Sequence, residues 1–301
     1  MSFSADTKQE LCRAPLERPC CRTAELYGLL LCAPVFSDTE IRVSSANAGI
    51  VRRVSTLLER ALKLNCPPEP VGTRFQLRIQ EPDVLRRVFA AFGYDFRPSV
   101  SYHLNRNILE NDCCAPAFLR GAFLMCGSVA SPEKKSHLEL KIAHASLARE
   151  VMSLMLDSGI SPRSTERGSS SLIYLKETAG IEDFLTLIGA SRAAMAIMEA
   201  KIEKSVRNRV NRQVNCETAN LLKTSTASQR QIAAIEAALA RGGIEIFPEN
   251  LRETVDLRVA YPEASLSELA ARFSPPISKP GLDHRLKRIL KIAEQEGGSS
   301  S

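Results

Sequence analysis

The chain has 301 residues, of which 44% are hydrophobic and 25% charged, so it is long enough for two packed domains and too apolar for a disordered protein. The net charge is +6, and from Ser191 onward 17 Lys and Arg stand against 13 Asp and Glu, which favours a polyanionic partner for that part. The N-terminus lacks a signal-peptide pattern, and the longest apolar run, 28–36, is too short to cross a bilayer. We therefore expect a cytoplasmic protein without membrane contact, whose nine cysteines are reduced.

A short apolar helix with an internal glycine occurs twice, at residues 25–36 and 118–129. When the two copies are aligned, Gly28 falls on Gly121, and a Cys-Cys pair precedes each copy. Small residues on one face of a helix allow two helix backbones to approach closely. The repeat therefore predicts two half-domains that meet across a pseudo-twofold axis, with the glycine faces in contact.

The same order of predicted elements follows each copy of the motif. Alternating apolar and polar residues predict strands at 41–44, 75–79, 138–142 and 171–176. Helical spacing predicts helices at 48–62, 82–92, 147–156 and 181–188, and shorter strands are expected near Ser37 and Ser128. The predicted fold class is α+β, with a first half at 1–97 and a connector plus second half at 98–190.

From Ser191 the sequence becomes almost entirely helical. A helix is predicted from Met195 to Asn215, with one narrow apolar stripe formed by Ile202, Val206, Val210 and Val214. A polar stretch at 215–228 separates it from further helices at 229–240 and 249–259. We interpret 191–243 as a helical linker and 296–301 as a flexible tail.

Residues 265–286 carry the clearest local signal in the chain. Ser265 and Glu268 have the spacing of a capping box, which begins a short helix. Ser274-Pro-Pro ends that helix, and Ser278 is placed to cap a second one. Two short helices joined by a tight break, after a supporting helix, are typical of a helix-turn-helix. The pattern predicts an all-α DNA-binding domain at 244–295.

The second of these helices is apolar on one side and basic on the other. A recognition helix needs this arrangement, because one side docks on its own domain and the other enters the major groove. A solvated amphipathic helix would show a similar pattern. The residues predicted to bind DNA are Ser278, Lys279, His284, Arg285, Lys287, Arg288 and Lys291.

A second basic stretch, at 201–212, combines arginine and lysine with asparagine. Such residues contact the DNA backbone, although a solvated connector helix explains the pattern equally well. The residues that we predict to contact phosphate are Arg207, Asn208, Asn211 and Arg212.

No pattern for catalysis or for a cofactor emerges from the sequence. The two Cys-Cys pairs precede helices that should approach each other, but adjacent cysteines project differently, and zinc motifs usually space their ligands by two or more residues. The four histidines lack ligand spacing, and no glycine-rich phosphate loop precedes a helix. We therefore predict no catalytic residue, no metal ligand and no cofactor, and we expect the cysteine pairs to pack at the helix starts.

The doubled helix motif resembles that of the LAGLIDADG homing endonucleases. In those enzymes an acidic residue near each helix end binds a divalent metal ion. The aligned positions here hold Ala33 and Cys126, and neither supplies the oxygen ligands that Mg²⁺ prefers. The nearest acids lie at the wrong helix end or beyond it: Glu25, Asp38, Asp112 and Glu133. An active nuclease is therefore not expected.

With the C-terminal part included, the whole chain resembles the WhiA family of bacterial sporulation regulators. The resemblance rests on the segments at 1–4, 20–26, 119–124, 211–220 and 274–286. The chain departs from the family pattern at Cys126, where a glycine is common, and at the Ala-Pro that ends the first motif.

The resemblance implies a degenerate LAGLIDADG-like domain joined to a helix-turn-helix domain. It also implies a non-catalytic, sequence-specific, nucleoid-associated regulator of transcription in sporulation, cell division or chromosome segregation. Its expected partners are double-stranded DNA and RNA polymerase or a WhiB-type iron–sulfur regulator. The alternatives are a metal-dependent LAGLIDADG-type endonuclease and a protein-binding scaffold that acts on RNA polymerase.

Overall fold

The computed structural model describes residues 2–96, 103–168 and 170–295. The tail predicted at 296–301 and the first residues of the predicted connector lie outside these ranges.

The first half of the N-terminal unit alternates helices with short strands. Its helices are α1 (Phe3–Cys12), α2 (Pro19–Leu31), α3 (Ala48–Leu62) and α4 (Pro82–Ala91). Its strands are β1 (Val35–Phe36), β2 (Ile41–Ser45), β3 (Glu69–Val71) and β4 (Arg74–Ile79).

The second half repeats this order from α2 onward, after a 3₁₀ turn at Arg106–Ile108. Its helices are α5 (Cys114–Cys126), α6 (Ala145–Asp157) and α7 (Thr178–Leu187). Its strands are β5 (Gly127–Val129), β6 (Leu138–Ile142), β7 (Arg163–Arg167) and β8 (Ser170–Leu175). Every helix and strand predicted for the two halves is present, including the short strands near Ser37 and Ser128.

Each half forms its own four-stranded antiparallel sheet. The strand order is β1-β2-β4-β3 in the first and β5-β6-β8-β7 in the second, so the two halves share one topology. Alternate residues on the central strands are buried, as Val43 and Leu140 are, and these side chains join one hydrophobic core. The predicted pairing of two similar half-domains is confirmed.

Helices α2 and α5 pack against each other through their glycines, and the contacts are reciprocal. A Cβ on Gly28 would overlap the carbonyl oxygen of Phe118 and lie 3.1 Å from the amide nitrogen of Ala122. A Cβ on Gly121 would overlap the carbonyl oxygen of Glu25 and lie 2.9 Å from the amide nitrogen of Leu29. Because the backbones touch here, only glycine fits at either position.

A buried ion cluster lies beside this contact. The carboxylate of Glu25 is fully buried and accepts hydrogen bonds from Arg53, on α3, and Arg120, on α5, whose Nη2 lies 2.8 Å from Oε2. Arg53 also donates to the carbonyl oxygens of Cys12 and Ala14, both at 2.9 Å. The cluster therefore connects α1, α2 and α3 of the first half with α5 of the second.

The C-terminal helices are α8 (Ser191–Gly242), α9 (Glu249–Ala260), α10 (Leu266–Ala271) and α11 (Lys279–Gln295). They form a second hydrophobic core, separate from the first. Its buried members include Ile235 of α8, Leu251 of α9, Leu269 of α10 and Leu286 of α11.

Helix α8 is longer than the sequence pattern indicated. The polar stretch at 215–228 does not interrupt it, and one helix of 52 residues runs from Ser191 to Gly242. The reason is that neither glycine nor proline occurs between Ser191 and Arg241, and polar residues by themselves do not end a helix. The helix ends at Gly242, and Gly243 follows with a φ of 73°.

The chain divides into two compact units, with the boundary between Ser205 and Val206. This boundary lies inside α8. The domain limits that we drew from the sequence, at 97, 190, 243 and 295, stay predictions. None of the helices that the structure describes combines the length and the apolar character needed to cross a membrane.

We expect Gly28→Ala or Gly121→Ala to destabilise the N-terminal unit by about 3 kcal/mol, because the added methyl group meets backbone atoms that cannot move aside. Urea unfolding followed by circular dichroism would measure the loss. Gly180→Ala is the matched control, since its Cβ would lie 3.7 Å from a Leu175 methyl group, and it should leave stability unchanged or raise it. Equal stability of all three variants would contradict the close approach of α2 and α5.

We expect Glu25→Gln to cost about 3–5 kcal/mol of unfolding free energy, because it leaves the positive charges of Arg53 and Arg120 without a counter-charge in the core. The control is Glu40→Gln, which removes the partner of Arg78, a side chain that is 50% exposed, and should cost less than about 1 kcal/mol. Thermal unfolding of the two variants beside the unmodified protein separates these outcomes.

Candidate nucleic-acid interface

Side-chain caps begin both helices of the helix-turn-helix. The Ser265 hydroxyl accepts from the backbone N–H of Glu268 at 3.3 Å, and the Glu268 carboxylate accepts from the Ser265 N–H at 2.8 Å. Hydrogen bonds to the carboxylate from the Ser265 backbone N–H and, with a smaller effect, from the Ser265 side chain lower the pKa of the Glu268 carboxyl. The predicted capping box is present and starts α10.

Helix α11 begins with the second predicted cap. The Ser278 hydroxyl accepts from the backbone N–H of Gly281 at 3.2 Å. Pro280 stands in the first turn, where its missing N–H costs nothing. Leu282, Leu286 and Ile289 are buried in the second core, so the apolar side of α11 faces its own domain, as predicted.

The opposite side of α11 is exposed and basic. The exposed members of the predicted DNA-binding set are Ser278, Lys279, His284, Lys287, Arg288 and Lys291. One acid shares this side, because the Asp283 carboxylate lies 2.7 Å from Nζ of Lys287. The surface has the composition and the helical presentation that major-groove readout requires.

Arg285 differs from the rest of the predicted set. Its side chain is half-buried, and its guanidinium carbon lies 5.4 Å from the centre of the Phe273 ring. Phe273 is itself buried in the second core. The contact fixes Arg285 against the segment between α10 and α11 by a cation–π interaction.

Arg258 is a structural residue of this domain that the sequence pattern did not single out. It is 2% exposed, and Nη1 donates to the carbonyl oxygen of Ala264 at 2.8 Å, just before the capping box. Burial lowers the pKa of its guanidinium. An arginine near the end of a surface helix gives no sequence signal of burial, so only the packing of the loop onto α9 identifies this role.

The second predicted set lies on α8. Arg207, Asn208, Asn211 and Arg212 are all exposed there, and their spacing of three and four residues places Arg207 and Asn211 on one side of the helix. Earlier in the same helix, Lys201 pairs with Glu182 at 3.2 Å, and Lys204 donates to the carbonyl oxygen of Pro132 at 2.6 Å. Lys201 and Lys204 therefore hold the start of α8 on the N-terminal unit.

The ends of α2 and α5 hold no acidic pair at the positions where the endonuclease motif has one. Those positions carry Ala33 and Cys126. The Cys126 thiol hydrogen-bonds with that of Cys32, and this contact raises the pKa of Cys32. The ammonium group of Lys8 also interacts electrostatically with Cys126. Burial lowers the pKa of Lys8. Two thiols and an ammonium group do not bind Mg²⁺, which prefers oxygen ligands.

Comparison with known proteins gives consistent matches over both units. A family model for the WhiA LAGLIDADG-like domain matches residues 115–207, and one for the WhiA C-terminal HTH domain matches residues 210–293. The "Probable cell division protein WhiA" of Ruminiclostridium cellulolyticum is 37% identical over 307 residues, which cover 98% of each chain. That of Syntrophomonas wolfei is also 37% identical, over 98% of each chain.

The chain belongs to the WhiA family. Among solved structures, full-length DUF199/WhiA from Thermatoga maritima matches 98% of this chain and 99% of its own, with 26% identity and a TM-score of 0.59. The WhiA fold thus accounts for both parts of the chain, a LAGLIDADG-like domain followed by a helix-turn-helix. The WhiA HTH model spans all of the predicted DNA-binding residues on α11 and also Asn211 and Arg212 of α8.

Proposed function

We propose that this WhiA-family chain is a sequence-specific DNA-binding regulator of transcription that acts in cell division. The observation that carries the proposal is the exposed basic side of α11, presented by a helix-turn-helix whose apolar side is buried in its own core. Lysine and arginine on such a helix reach the O6 and N7 atoms of guanine and the adjacent phosphates.

The residues of α11 divide by position into base and backbone contacts. His284, Lys287, Arg288 and Lys291 lie along the exposed side and are the proposed base-reading set. Ser278 and Lys279 lie at the helix start, where backbone N–H groups also favour phosphate. Arg285 is proposed to contact the DNA backbone from the flank, where the Phe273 ring limits the orientations of its guanidinium.

Helix α8 supports a second, weaker contact with DNA. Arg207, Asn208, Asn211 and Arg212 are exposed and have the chemistry of phosphate and groove contacts. We assign them a backbone-binding role, because the electrostatic attraction of arginine to phosphate does not depend on base sequence.

The N-terminal unit is proposed to have no nuclease activity. Ala33 and Cys126 replace the metal-binding acids of the endonuclease motif, and the ammonium group of Lys8 opposes the binding of a cation there. Glu25, the acid within α2, is held by Arg53 and Arg120. The retained helix pair thus has a structural role.

The names of the relatives support a role in cell division, since those described above are named as probable cell division proteins. On the resemblance to the WhiA family, we extend the proposal to sporulation, chromosome segregation and association with the nucleoid. RNA polymerase or a WhiB-type regulator is the proposed protein partner. Val206, Val210 and Val214 support a protein contact, because they form an exposed apolar stripe on α8.

We expect Lys287→Ala and Arg288→Ala each to weaken specific DNA binding by more than about fivefold, since one good contact to a base or phosphate is worth roughly 1–3 kcal/mol. A genomic footprint first identifies the site at physiological salt, and fluorescence anisotropy with that duplex then measures affinity for the full-length variants.

Arg230→Ala is the matched control for charge. It also removes one positive charge from the C-terminal unit, but Arg230 lies on α8, is 74% exposed and pairs with Glu294. Its effect on specific binding should stay below about twofold. The assignment of α11 fails if Lys287→Ala and Arg288→Ala bind as tightly as the unmodified chain.

We expect supercoiled plasmid that carries the identified site to stay intact with the protein and either Mg²⁺ or Mn²⁺. The physical reason is that thiol and methyl groups stand where an endonuclease needs carboxylates. Agarose electrophoresis detects nicked or linear product, and a LAGLIDADG endonuclease on its own target is the positive control. Site-specific cleavage of the plasmid would overturn the non-catalytic proposal. If Cys126→Ala left that cleavage unchanged, the catalytic groups would lie elsewhere.

A further inference from the structure

The first turns of α2 and α5 bring three cysteine thiols together. The sulfur atoms of Cys20, Cys21 and Cys113 all lie within 4.8 Å of one another, and those of Cys20 and Cys113 are 3.8 Å apart. Among the described residues, these three form the group of metal-binding side chains that is compact enough to hold an ion. Cys20 and Cys21 belong to one half-domain and Cys113 to the other.

We propose that Cys20, Cys21 and Cys113 bind one zinc ion, or a similar thiophilic divalent cation, as thiolate ligands. The spacing fits this role, because a Zn–S bond of about 2.3 Å in tetrahedral geometry separates two sulfur atoms by about 3.8 Å. The distance between the Cys20 and Cys113 sulfur atoms already has this value. A water molecule supplies the fourth ligand.

Adjacent cysteines project differently along a helix, but Cys20 and Cys21 both lie close to a third thiol. That thiol belongs to Cys113, the N-cap residue of α5, and all three sulfur atoms are mutually within 4.8 Å. Cys21 reaches the carbonyl oxygen of Cys113 at 3.4 Å, while Cys20 reaches its sulfur atom. The close packing of α2 on α5 at Gly28 and Gly121 therefore sets the ligand geometry.

Positive charge lies beside the three sulfur atoms. The Arg18 guanidinium hydrogen-bonds with the Cys113 side chain. Cys20 and Cys21 stand in the first turn of α2 and Cys113 caps α5, so the positive ends of two helix dipoles meet here. Three thiolates around a divalent cation leave one negative charge, which Arg18 offsets.

The Cys114 thiol has a supporting position. It is buried and hydrogen-bonds with Cys20, but it lies outside the group of three mutually close sulfur atoms. A hydrogen bond to a metal-bound sulfur stabilises the thiolate form and orients it. This arrangement leaves Cys20, Cys21 and Cys113 as the ligands.

The test uses the full-length protein, reduced and stripped of metal with a chelator, and then titrated with Zn²⁺ or Co²⁺ under nitrogen. We expect about one metal ion per chain and, with Co²⁺, sulfur-to-metal charge-transfer and tetrahedral ligand-field absorption. The apparent affinity should fall as the pH is lowered, because protons compete with the metal ion for the thiolates.

Cys20→Ser, Cys21→Ser and Cys113→Ser should each abolish the charge-transfer absorption or weaken Zn²⁺ binding by more than about tenfold. Cys216→Ser is the matched control, since Cys216 is an exposed thiol on α8, and it should bind metal as the unmodified chain does. Equal metal binding by all four variants would overturn the proposal.

A measurement on the unmodified chain covers the case in which a cysteine variant fails to fold. Alkylation followed by mass spectrometry, with and without Zn²⁺, should show protection of Cys20, Cys21 and Cys113 and unchanged labelling of Cys216. The same labelling pattern in both conditions excludes the site. A Cys20–Cys113 disulfide in the protein as isolated, together with no uptake of Zn²⁺ once that disulfide has been fully reduced, also excludes it.

Discussion

The reciprocal contact between the backbones of α2 and α5 is the constraint on which the N-terminal unit depends. Gly28 packs on Phe118 and Ala122, while Gly121 packs on Glu25 and Leu29, and each contact repeats the other at equivalent positions of the two copies. Because the contact is self-complementary, it fixes the position of one sheet relative to the other, and the two sheets share one topology. The Glu25 ion cluster then breaks the equivalence of the halves, since the second copy of the motif carries the uncharged Phe118 at the position of Glu25.

The two ends of this helix pair carry different chemistry. At one end, where a LAGLIDADG endonuclease places its acids, thiols and the ammonium group of Lys8 replace them. At the other end, three thiols converge beside Arg18. The motif positions at the first end therefore lack the hard oxygen ligands that Mg²⁺ prefers, whereas the second end offers soft sulfur atoms. The helix pair of the LAGLIDADG-like domain thus presents different donor atoms at its two ends.

The DNA-binding surface follows from a separate and simpler constraint. Helix α11 buries Leu282, Leu286 and Ile289, so its basic side must face solvent. The capping box and the Ser278 cap fix where α10 and α11 begin, and the buried Arg258 holds the loop before them. This C-terminal core shares no residue with the first. The proposed DNA-reading surface therefore depends on local signals and one small core, independently of the helix pair.

The sequence by itself determined most of the helices and strands, the repeat and the basic side of α11, because periodicity, caps and prolines act within a few residues. Helix α1 was not among the predicted elements. The sequence also excluded the endonuclease acids at Ala33 and Cys126. It did not determine the continuity of α8 across 215–228, the burial of Glu25 and Arg258, or the cation–π contact of Arg285 with Phe273. The sequence indicated that the two Cys-Cys pairs approach each other, but it did not show which thiols meet. Only the tertiary structure decided that, because Cys113 is 93 residues away from Cys20 in the chain and the packing of α2 on α5 brings their sulfur atoms to 3.8 Å.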